Sequence, residues 1–326
     1  MAEAETFPSL IDRCWILTGP TASGKSAIAL ALAEQLDAEI LSLDSMAIYR
    51  EMDVGTAKPP LEDRQRVPHH LIDLIDPTEE FSVAAFLQHA HAAVDRLEAA
   101  GRTPLFVGGT PLYLKAIIRG FDPGPPADWE FRRNVAADLE RWGAAALRRR
   151  LLQVDPLSAH RLHPNDTRRM TRALEVAYLT GVPLSHRQMQ FEQRLPAEHC
   201  RVFATRWPRP TLHQRINDRV AGMFAAGLVE ETRGLLARHG ELSRTAAQAV
   251  GYREVIEHLH DARSLPQTIE AVQAHTRQLA RRQETWFRSL GEIRGLTMPA
   301  RFVPEALARQ LLDLPQAAPR PDSRNR

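Results

Sequence analysis

The chain has 326 residues, of which 44% are hydrophobic and 25% are charged, a composition typical of a globular protein with a sizeable core. This composition excludes intrinsic disorder, and the presence of only two cysteines excludes a disulfide scaffold. We expect no secretory signal, because the first residues lack a basic start followed by an apolar run. We also expect no membrane span, because no apolar stretch reaches about 18 residues. These features favour a cytoplasmic protein.

The net charge of +2 conceals an uneven distribution along the chain. Residues 1–130 contain 10 basic and 20 acidic side chains, whereas residues 131–326 contain 32 basic and 20 acidic ones. A basic second half favours a polyanionic partner such as nucleic acid, because clustered cations release counterions from a phosphate backbone. Solvated helix faces that carry Arg beside Glu are the alternative, and they explain any single charge better.

Strands and helices alternate over the first 120 residues. The apolar runs predict strands at Cys14–Thr18, Glu39–Leu43, His70–Ile75 and Pro104–Val107. Helical spacing predicts helices at Ser26–Leu36 and Phe81–Ala100, the second capped by Ser82 and stopped by Gly101. This alternation predicts an α/β fold, with a parallel sheet flanked by helices.

The Pro- and Gly-rich segment Phe121–Ala127 marks a boundary. The chain beyond it is helical and Arg-rich to about residue 181, and Arg201–Trp207 predicts a strand that rejoins the sheet. Further helical stretches are predicted at 211–238, 245–260 and 266–290. We therefore predict a core of residues 1–124 and 199–313, an all-helical insertion at 125–198, and a disordered tail at 314–326.

A phosphate-binding motif, GxxxxGK[ST], lies between the first predicted strand and the first predicted helix. It consists of Gly19, Pro20, Thr21, Ala22, Ser23, Gly24, Lys25 and Ser26. The glycines let backbone N–H groups surround phosphate oxygens, Lys25 supplies a cation, and the Ser26 hydroxyl can hold Mg²⁺. The sheet is therefore predicted to be P-loop NTPase-like, with a bound di- or triphosphate, although the motif does not say whether that ligand is a nucleotide.

Asp44 directly follows the second predicted strand. The carboxyl end of a parallel strand borders the crevice where ligands bind, so Asp44 is a candidate metal partner or general base. A capping Asp in a turn is the alternative. At this point the pattern also fits an ATP-binding small-molecule kinase whose basic half closes as a lid, or a nucleotide-gated RNA-binding protein without covalent chemistry.

Six segments resemble, in the same order, the signature blocks of the bacterial tRNA dimethylallyltransferases, also called tRNA isopentenyltransferases. These segments are Gly19–Ser26, Asp44–Pro59, Pro68–Leu71, Val107–Thr110, Gln248–Arg253 and Arg281–Arg288. The similarity extends over about residues 12–290. Two departures are Ser26, where many members carry Thr, and Glu51, where Gly is usual.

The resemblance implies transfer of a dimethylallyl group from dimethylallyl diphosphate to N6 of adenosine 37, next to the anticodon of tRNA. The P-loop then holds the diphosphate, with Mg²⁺ at Ser26 and hydroxyl contacts from Thr21 and Ser23. Family analogy makes Asp44 the base and adds Thr110 and Arg219 as catalytic residues. Arg215 shares a helical face with Arg219, so either arginine is a candidate for contacting the diphosphate.

The target base must leave the anticodon stack to reach Asp44, and the enzyme must hold the tRNA around it. The resemblance places tRNA contacts at Asp44, Ser45, Met46, Ala47, Thr110, Arg132, Arg168, Arg169, Met170, Thr171, Arg172, Gln248, Ala249, Val250, Gly251, Tyr252, Arg253, Arg281, Arg282, Gln283, Glu284, Thr285, Trp286, Phe287 and Arg288. The arginines supply phosphate contacts, while Tyr252, Trp286 and Phe287 offer stacking surfaces. Core packing is the alternative for Trp286 and Phe287.

The remaining expectations concern the insertion, the oligomeric state and two adjacent histidines. By analogy, the inserted region clamps the anticodon stem and the enzyme is a monomer. His69 and His70 have no Cys or His companions at metal-ligand spacing, so we do not expect a zinc site. A strand-edge or donor-pocket role is the preferred interpretation of this pair.

Overall fold

The computed structural model describes residues 6–189 and 194–314. The chain divides into two compact units, each with a hydrophobic core of its own. One unit comprises the described parts of Met1–Pro8 and Arg119–Gln193, and the other those of Ser9–Ile118 and Arg194–Arg326. Apart from residue 314, the predicted disordered tail lies outside the described residues.

The larger unit is built on a six-stranded sheet in the order β3-β2-β4-β1-β5-β6, and all neighbouring strands are parallel. The strands are β1 (Trp15–Thr18), β2 (Ala38–Ser42), β3 (His69–His70), β4 (Thr103–Gly108), β5 (Val202–Arg206) and β6 (Arg294–Thr297). The predicted α/β class with a parallel sheet is confirmed. The strand predicted at His70–Ile75 is shorter than expected, because Leu71 and Asp73 adopt positive φ angles of 62° and 55° that a strand cannot continue through.

Helices cover this sheet. They are α1 (Lys25–Leu36), α2 (Leu61–Arg66), α3 (Val83–Ala99), α4 (Pro111–Arg119), and, after the four helices of the smaller unit, α9 (Arg209–Ala225), α10 (Leu228–His239), α11 (Arg244–Ala247), α12 (Tyr252–Leu259), α13 (Leu265–Ser289) and α14 (Pro304–Leu312). The Ser82 hydroxyl caps α3 by accepting a hydrogen bond from the Ala85 N–H, as predicted. The helical stretches predicted at 211–238 and 245–260 are helical, and each consists of two helices separated near a glycine of positive φ: Gly227 at 96° and Gly251 at 102°.

The smaller unit is helical. Its helices are α5 (Trp129–Val154), α6 (Pro156–Arg161), α7 (Thr167–Thr180) and α8 (Leu184–Gln188). Its core forms where apolar side chains of α5 and α7 meet, among them Phe131, Leu151 and Met170. The unit begins before the predicted residue 125 and includes N-terminal residues, since Phe7 and Phe121 pair through two backbone hydrogen bonds.

Within residues 6–189 and 194–314, no helix combines the length and apolar character needed to span a membrane. The longest two, α5 and α13, carry many arginines over 26 and 25 residues, and α5 is interrupted at Gly143, whose φ of 73° and ψ of 170° are not helical.

Candidate active site

The P-loop joins β1 to α1, as the motif predicts. Gly19 has a φ of 142°, and a side chain there would collide with the Thr205 hydroxyl of β5. Gly24 has a φ of 88° and forms the N-terminal boundary of α1, where the ring of Phe302 leaves little room for a Cβ. Glycine is thus needed at both positions, and the resulting turn points backbone N–H groups and the helix N-terminus toward one place.

Two distant side chains brace the P-loop. The Thr205 hydroxyl donates to Ser23 Oγ at 2.7 Å, and Ser23 is completely buried. Gln283 of α13 accepts from the Thr21 N–H at 3.0 Å and donates to the Gly109 carbonyl at 2.8 Å. Both side chains are thus hydrogen-bonded inside the protein, although Ser23 and Gln283 each also line a pocket beside the P-loop. The ligand contact of Ser23 and the tRNA contact of Gln283 stay predictions.

Lys25, Arg219 and Asp44 line one pocket of about 110 Å³, together with Thr21 and Ser26. Burial lowers the pKa of the Lys25 ammonium to about 7, and the charge of Arg219 acts in the same direction while Asp44 opposes it. Burial also lowers the pKa of Arg219, again opposed by Asp44. Two buried basic groups thus lie beside a single carboxylate, and an anionic ligand in this pocket would favour their charged forms.

The structure distinguishes the two candidate arginines of α9. Arg215 Nε donates to the Ala22 carbonyl at 2.9 Å, and its guanidinium lies 4.8 Å from the ring centroid of Trp207. Arg219, one turn later, lines the pocket that contains Lys25 and Asp44. Arg215 therefore braces the P-loop, and only Arg219 reaches the pocket of Asp44. Both arginines line a second pocket along residues 22–27, so either stays a candidate for contacting the diphosphate.

Asp44 lies at the carboxyl end of β2, where the crevice was predicted. Asp44 Oδ1 accepts from the Met46 N–H at 2.8 Å, which fixes the orientation of the carboxylate. Thr110 Oγ1 accepts from the Ser45 N–H at 3.0 Å and lies 3.3 Å from Ser45 Oγ. Thr110 thus fixes the turn that carries Asp44.

Residues 56–59 form one wall of the pocket. Lys58, whose side chain is only 1% exposed, anchors this wall. Its ammonium donates to the Tyr49 carbonyl at 2.5 Å, to Asp53 Oδ1 at 2.8 Å and to Asp73 Oδ1 at 2.6 Å. The sequence predicts no role for Lys58 beyond its place in a signature block. The signal that could have pointed to it is that Lys58 is one of three lysines in an Arg-rich chain.

The same segment is held from outside by Glu231 of α10. Its carboxylate accepts from the backbone N–H groups of Asp53, Val54 and Gly55 at 3.0, 2.7 and 3.2 Å. It also accepts from the Tyr252 hydroxyl at 2.6 Å. Tyr252 is completely buried in this contact, so its ring offers no exposed stacking surface here, and base stacking by Tyr252 stays a prediction.

The predicted tRNA-contact residues differ widely in exposure. The exposed ones are Arg168, Arg169, Gln248, Arg281, Arg282, Thr285, Trp286 and Arg288. The partly buried ones are Asp44, Ser45, Met46, Thr110, Arg132, Thr171, Arg172, Val250, Arg253 and Glu284. The buried ones are Ala47, Met170, Ala249, Gly251, Tyr252, Gln283 and Phe287. The side chains of Met170 and Phe287, like those of Tyr252 and Gln283, pack in the interior of this structure, and their tRNA contacts stay predictions.

Three of the partly buried arginines are held by internal carboxylates. In the smaller unit, Arg132 Nε and Arg172 Nη1 lie 2.8 and 2.6 Å from the oxygens of Glu175, which is completely buried. In the larger unit, Arg253 lies 2.5 Å from the buried carboxylate of Glu254. A buried carboxylate requires such partners, so these arginines serve the fold through ion pairs. Their tRNA contacts stay predictions.

The two adjacent histidines have different surroundings. His70 Nε2 lies 2.6 Å from Glu39 Oε2, so His70 belongs to the edge of the sheet. His69 Nδ1 lies 2.7 Å from the Val67 carbonyl, and His69 lines the pocket. Burial lowers the pKa of His69, which therefore presents a neutral ring to the pocket at pH 7.

The parallel sheet, the P-loop and the paired cations facing Asp44 define a P-loop α/β protein with a site for a phosphorylated ligand. The family model described as IPP transferase matches residues 47–290. A tRNA dimethylallyltransferase of Rhodopirellula baltica is 55% identical over 301 residues, which cover 90% of each chain. The chain therefore belongs to the IPP transferase family, and the resemblance read from the sequence is confirmed.

Solved structures agree with this assignment. A full-length tRNA isopentenylpyrophosphate transferase from Bacillus halodurans is 35% identical, and the match covers 92% of this chain and 95% of that one with a TM-score of 0.67. A eukaryotic dimethylallyltransferase acting on tRNA is 27% identical, and the match covers 87% of this chain and 73% of that one with a TM-score of 0.72. The likeness therefore extends over most of the length of both chains.

Proposed function

We propose that this chain transfers the dimethylallyl group of dimethylallyl diphosphate to N6 of adenosine 37 in tRNA, giving N6-(dimethylallyl)adenosine and diphosphate. The observation that carries this proposal is the pocket in which Lys25 and Arg219 face Asp44. Two cations suit a leaving diphosphate, and a carboxylate suits an incoming amine. The relatives named tRNA dimethylallyltransferase support the same substrate pair.

The cationic end of the pocket acts on the leaving group. Breaking the allylic C–O bond leaves positive charge on carbon and an additional negative charge on the departing diphosphate. Lys25 and Arg219 line the pocket, and in this proposal they and the P-loop N–H groups stabilise that negative charge. Groups held in place in this way stabilise the transition state more than the ground state.

Asp44 acts on the nucleophile. The amine N6 attacks the allylic carbon as the C–O bond breaks, and the N6 proton passes to the Asp44 carboxylate. With Oδ1 held by the Met46 N–H, the carboxylate keeps one orientation in which its other oxygen can take this proton. Thr110 supports this geometry through Ser45.

The residues present fit Mg²⁺ only as an ion shared with the substrate. No cluster of three or more His, Cys, Asp or Glu side chains able to hold a metal occurs in the described part of the chain. Mg²⁺ commonly binds through one or two protein oxygens together with substrate phosphates and water, and the Ser26 hydroxyl at the pocket provides one such oxygen. The ion would neutralise diphosphate charge there.

The exposed arginines Arg281, Arg282 and Arg288 of α13, with Trp286 beside them, are the proposed tRNA contacts of the larger unit. Arg168 and Arg169 are those of the smaller unit. Guanidinium groups suit phosphates, and an exposed indole suits an unstacked base. The monomeric state and the cytoplasmic location stay predictions.

The decisive experiment incubates the protein with Mg²⁺, labelled dimethylallyl diphosphate and unmodified tRNA, followed by nucleoside mass analysis. Label in adenosine 37 is the expected result. A parallel incubation with ATP in place of the donor tests the kinase alternative, which ATP turnover together with absence of prenyl transfer would support. Asp44→Asn should abolish transfer and leave tRNA affinity largely intact, while the surface control Asp95→Asn should behave like the wild type. Loss of tRNA binding with turnover preserved would overturn the assignment of Asp44 as the base.

A further inference from the structure

The active-site pocket extends from the end of β2 down into the strand. Successive residues of a strand point to opposite faces, so Ile40, Ser42 and Asp44 lie on the same face of β2 and its extension. All three line the pocket. Two residues of a parallel strand advance by about 7 Å, so Ile40 lies about that far below the level of Ser42. The pocket therefore has depth as well as a mouth.

Three residues line the deep end, which we call the floor: the buried Ala29 and Ile40, and the partly buried His69. Ile40 and His69 are direct cross-strand neighbours in the pairing of β2 with β3. Ala29 lies one helical turn beyond Lys25 on α1, and Ala29 and Ile40 are 0% and 3% exposed. All three line the pocket, so the floor is continuous from helix to sheet edge.

The pocket is charged at its mouth and apolar at its floor. Lys25 and Arg219 meet Asp44 near the strand end, whereas the floor presents a methyl group, a branched alkyl chain and an imidazole ring. Lys58 also lines the pocket, but its ammonium is bound to Asp53, Asp73 and the Tyr49 carbonyl. An amphiphile with an anionic head therefore fits in one direction, with its hydrocarbon toward the floor.

We propose that the floor restricts the donor to a single five-carbon prenyl unit, and that Ile40 excludes a second isoprene unit. This inference rests on the proposed function. With C–C bonds of about 1.5 Å, a dimethylallyl group extends about 5 Å from its diphosphate oxygen, and a geranyl group extends about 10 Å. The dimethylallyl group is therefore shorter than the distance of about 7 Å along β2 from Ser42 to Ile40, whereas the geranyl group is longer.

The test compares dimethylallyl diphosphate with geranyl diphosphate as donors to tRNA, using kcat/KM and the mass of the modified nucleoside. Ile40→Ala should raise the ratio of kcat/KM for geranyl over dimethylallyl diphosphate by about tenfold or more, since a few methyl groups in an apolar pocket have effects of this size. Leu41→Ala is the matched control, because Leu41 is equally buried in β2 and faces away from the pocket. Its ratio should equal that of the wild type.

A second variant keeps the test decisive if Ile40→Ala does not fold. Ile40→Val removes one methyl group and should give a smaller rise in the same ratio. If the folded variants at residue 40 show no more change than Leu41→Ala, or if the wild type accepts both donors equally, the inference is overturned. A wild type that transfers neither prenyl group would instead overturn the proposed function, so the two failures are distinguishable.

Discussion

Glu51 shows how one residue departs from a family pattern without loss of the fold. Its φ of 62° lies in the left-handed region, which explains why glycine is usual at this position in the family that the sequence resembles. Its carboxylate lies 2.5 Å from Arg238 Nη2 and 3.2 Å from His239 Nε2 of α10. These contacts offset the strain of a side chain in this conformation.

Comparing Glu51→Ala with Glu51→Gly should separate the strain from the ion pairs. Alanine keeps the strained backbone and loses both contacts, so we expect a loss of about 1 kcal/mol in the free energy of unfolding. Glycine loses the contacts but relieves the strain, and should stay within about 0.5 kcal/mol of the wild type. Urea titration measures both, and equal values for the two variants would contradict this account of Glu51.

Arg219 and Arg215 should differ in their effects on catalysis. Arg219→Gln removes a cation from the pocket, so kcat/KM for the donor should fall by about 100-fold. Arg215→Gln removes the contacts to Ala22 and Trp207 outside the pocket, so its main effect should be a lower melting temperature. Steady-state rates and thermal melts of both variants provide the test, and a larger rate loss for Arg215→Gln would reverse the assignment.

At the level of elements, α10 holds the pocket wall through Glu231. Glu231→Gln keeps the shape of the side chain but weakens its bonds to three backbone N–H groups and to Tyr252. We expect a loss of about 1–3 kcal/mol in stability and a higher KM for the donor. The exposed neighbour Glu230→Gln is the control and should change neither quantity. If Glu231→Gln is less stable but its KM for the donor is unchanged, the Glu231 carboxylate stabilises the fold and has no effect on donor binding.

The contact between α5 and α7 depends on the charge of Glu175. Burial acts to raise the pKa of this carboxyl, but hydrogen bonds from Arg132 and Arg172 outweigh burial and lower it. The stabilisation is therefore present above the ordinary pKa of 4.5 and is lost as the pH falls through the lower folded value. Glu175→Gln should lower the free energy of unfolding by about 3–5 kcal/mol at pH 7. It should also make this free energy fall less steeply with decreasing pH than in the wild type. Denaturation from pH 7 to pH 3.5 measures both, with the exposed Glu140→Gln as control.

Local patterns predicted some elements, whereas others depend on contacts between distant residues. The P-loop and Asp44 were predictable, because strand, turn and helix signals are adjacent in the chain. The four-residue β6 was missed, since its segment RGLT has no strand pattern and becomes a strand only by pairing with β5. Gln283 and Glu231 brace segments 262 and 177 residues away, so their chemistry could not be read from neighbours in sequence.

For the whole molecule, the excess of arginine in the second half predicts salt-sensitive tRNA binding. Replacing Arg281, Arg282 and Arg288 together by alanine should weaken binding and make the slope of log K against log salt shallower by about 2, since each phosphate contact contributes about 0.7–0.9. Arg309→Ala, an exposed arginine of α14, should leave the slope unchanged. Filter binding between 50 and 300 mM salt provides the measurement. An unchanged slope in the triple variant would remove α13 from the tRNA interface.

Helix α13 has a consequence for how the two substrates influence each other. Gln283 on its inner side bonds to Thr21 and Gly109 at the donor site, while Arg282 and Trp286 are exposed on the same stretch of helix. If RNA shifts this helix, the donor loop shifts with it, and the energetic effect runs equally in both directions. By whatever factor bound diphosphate raises the affinity for RNA, bound RNA must raise the affinity for diphosphate by the same factor. Gln283 is therefore the contact through which we expect the binding of one substrate to change the affinity for the other.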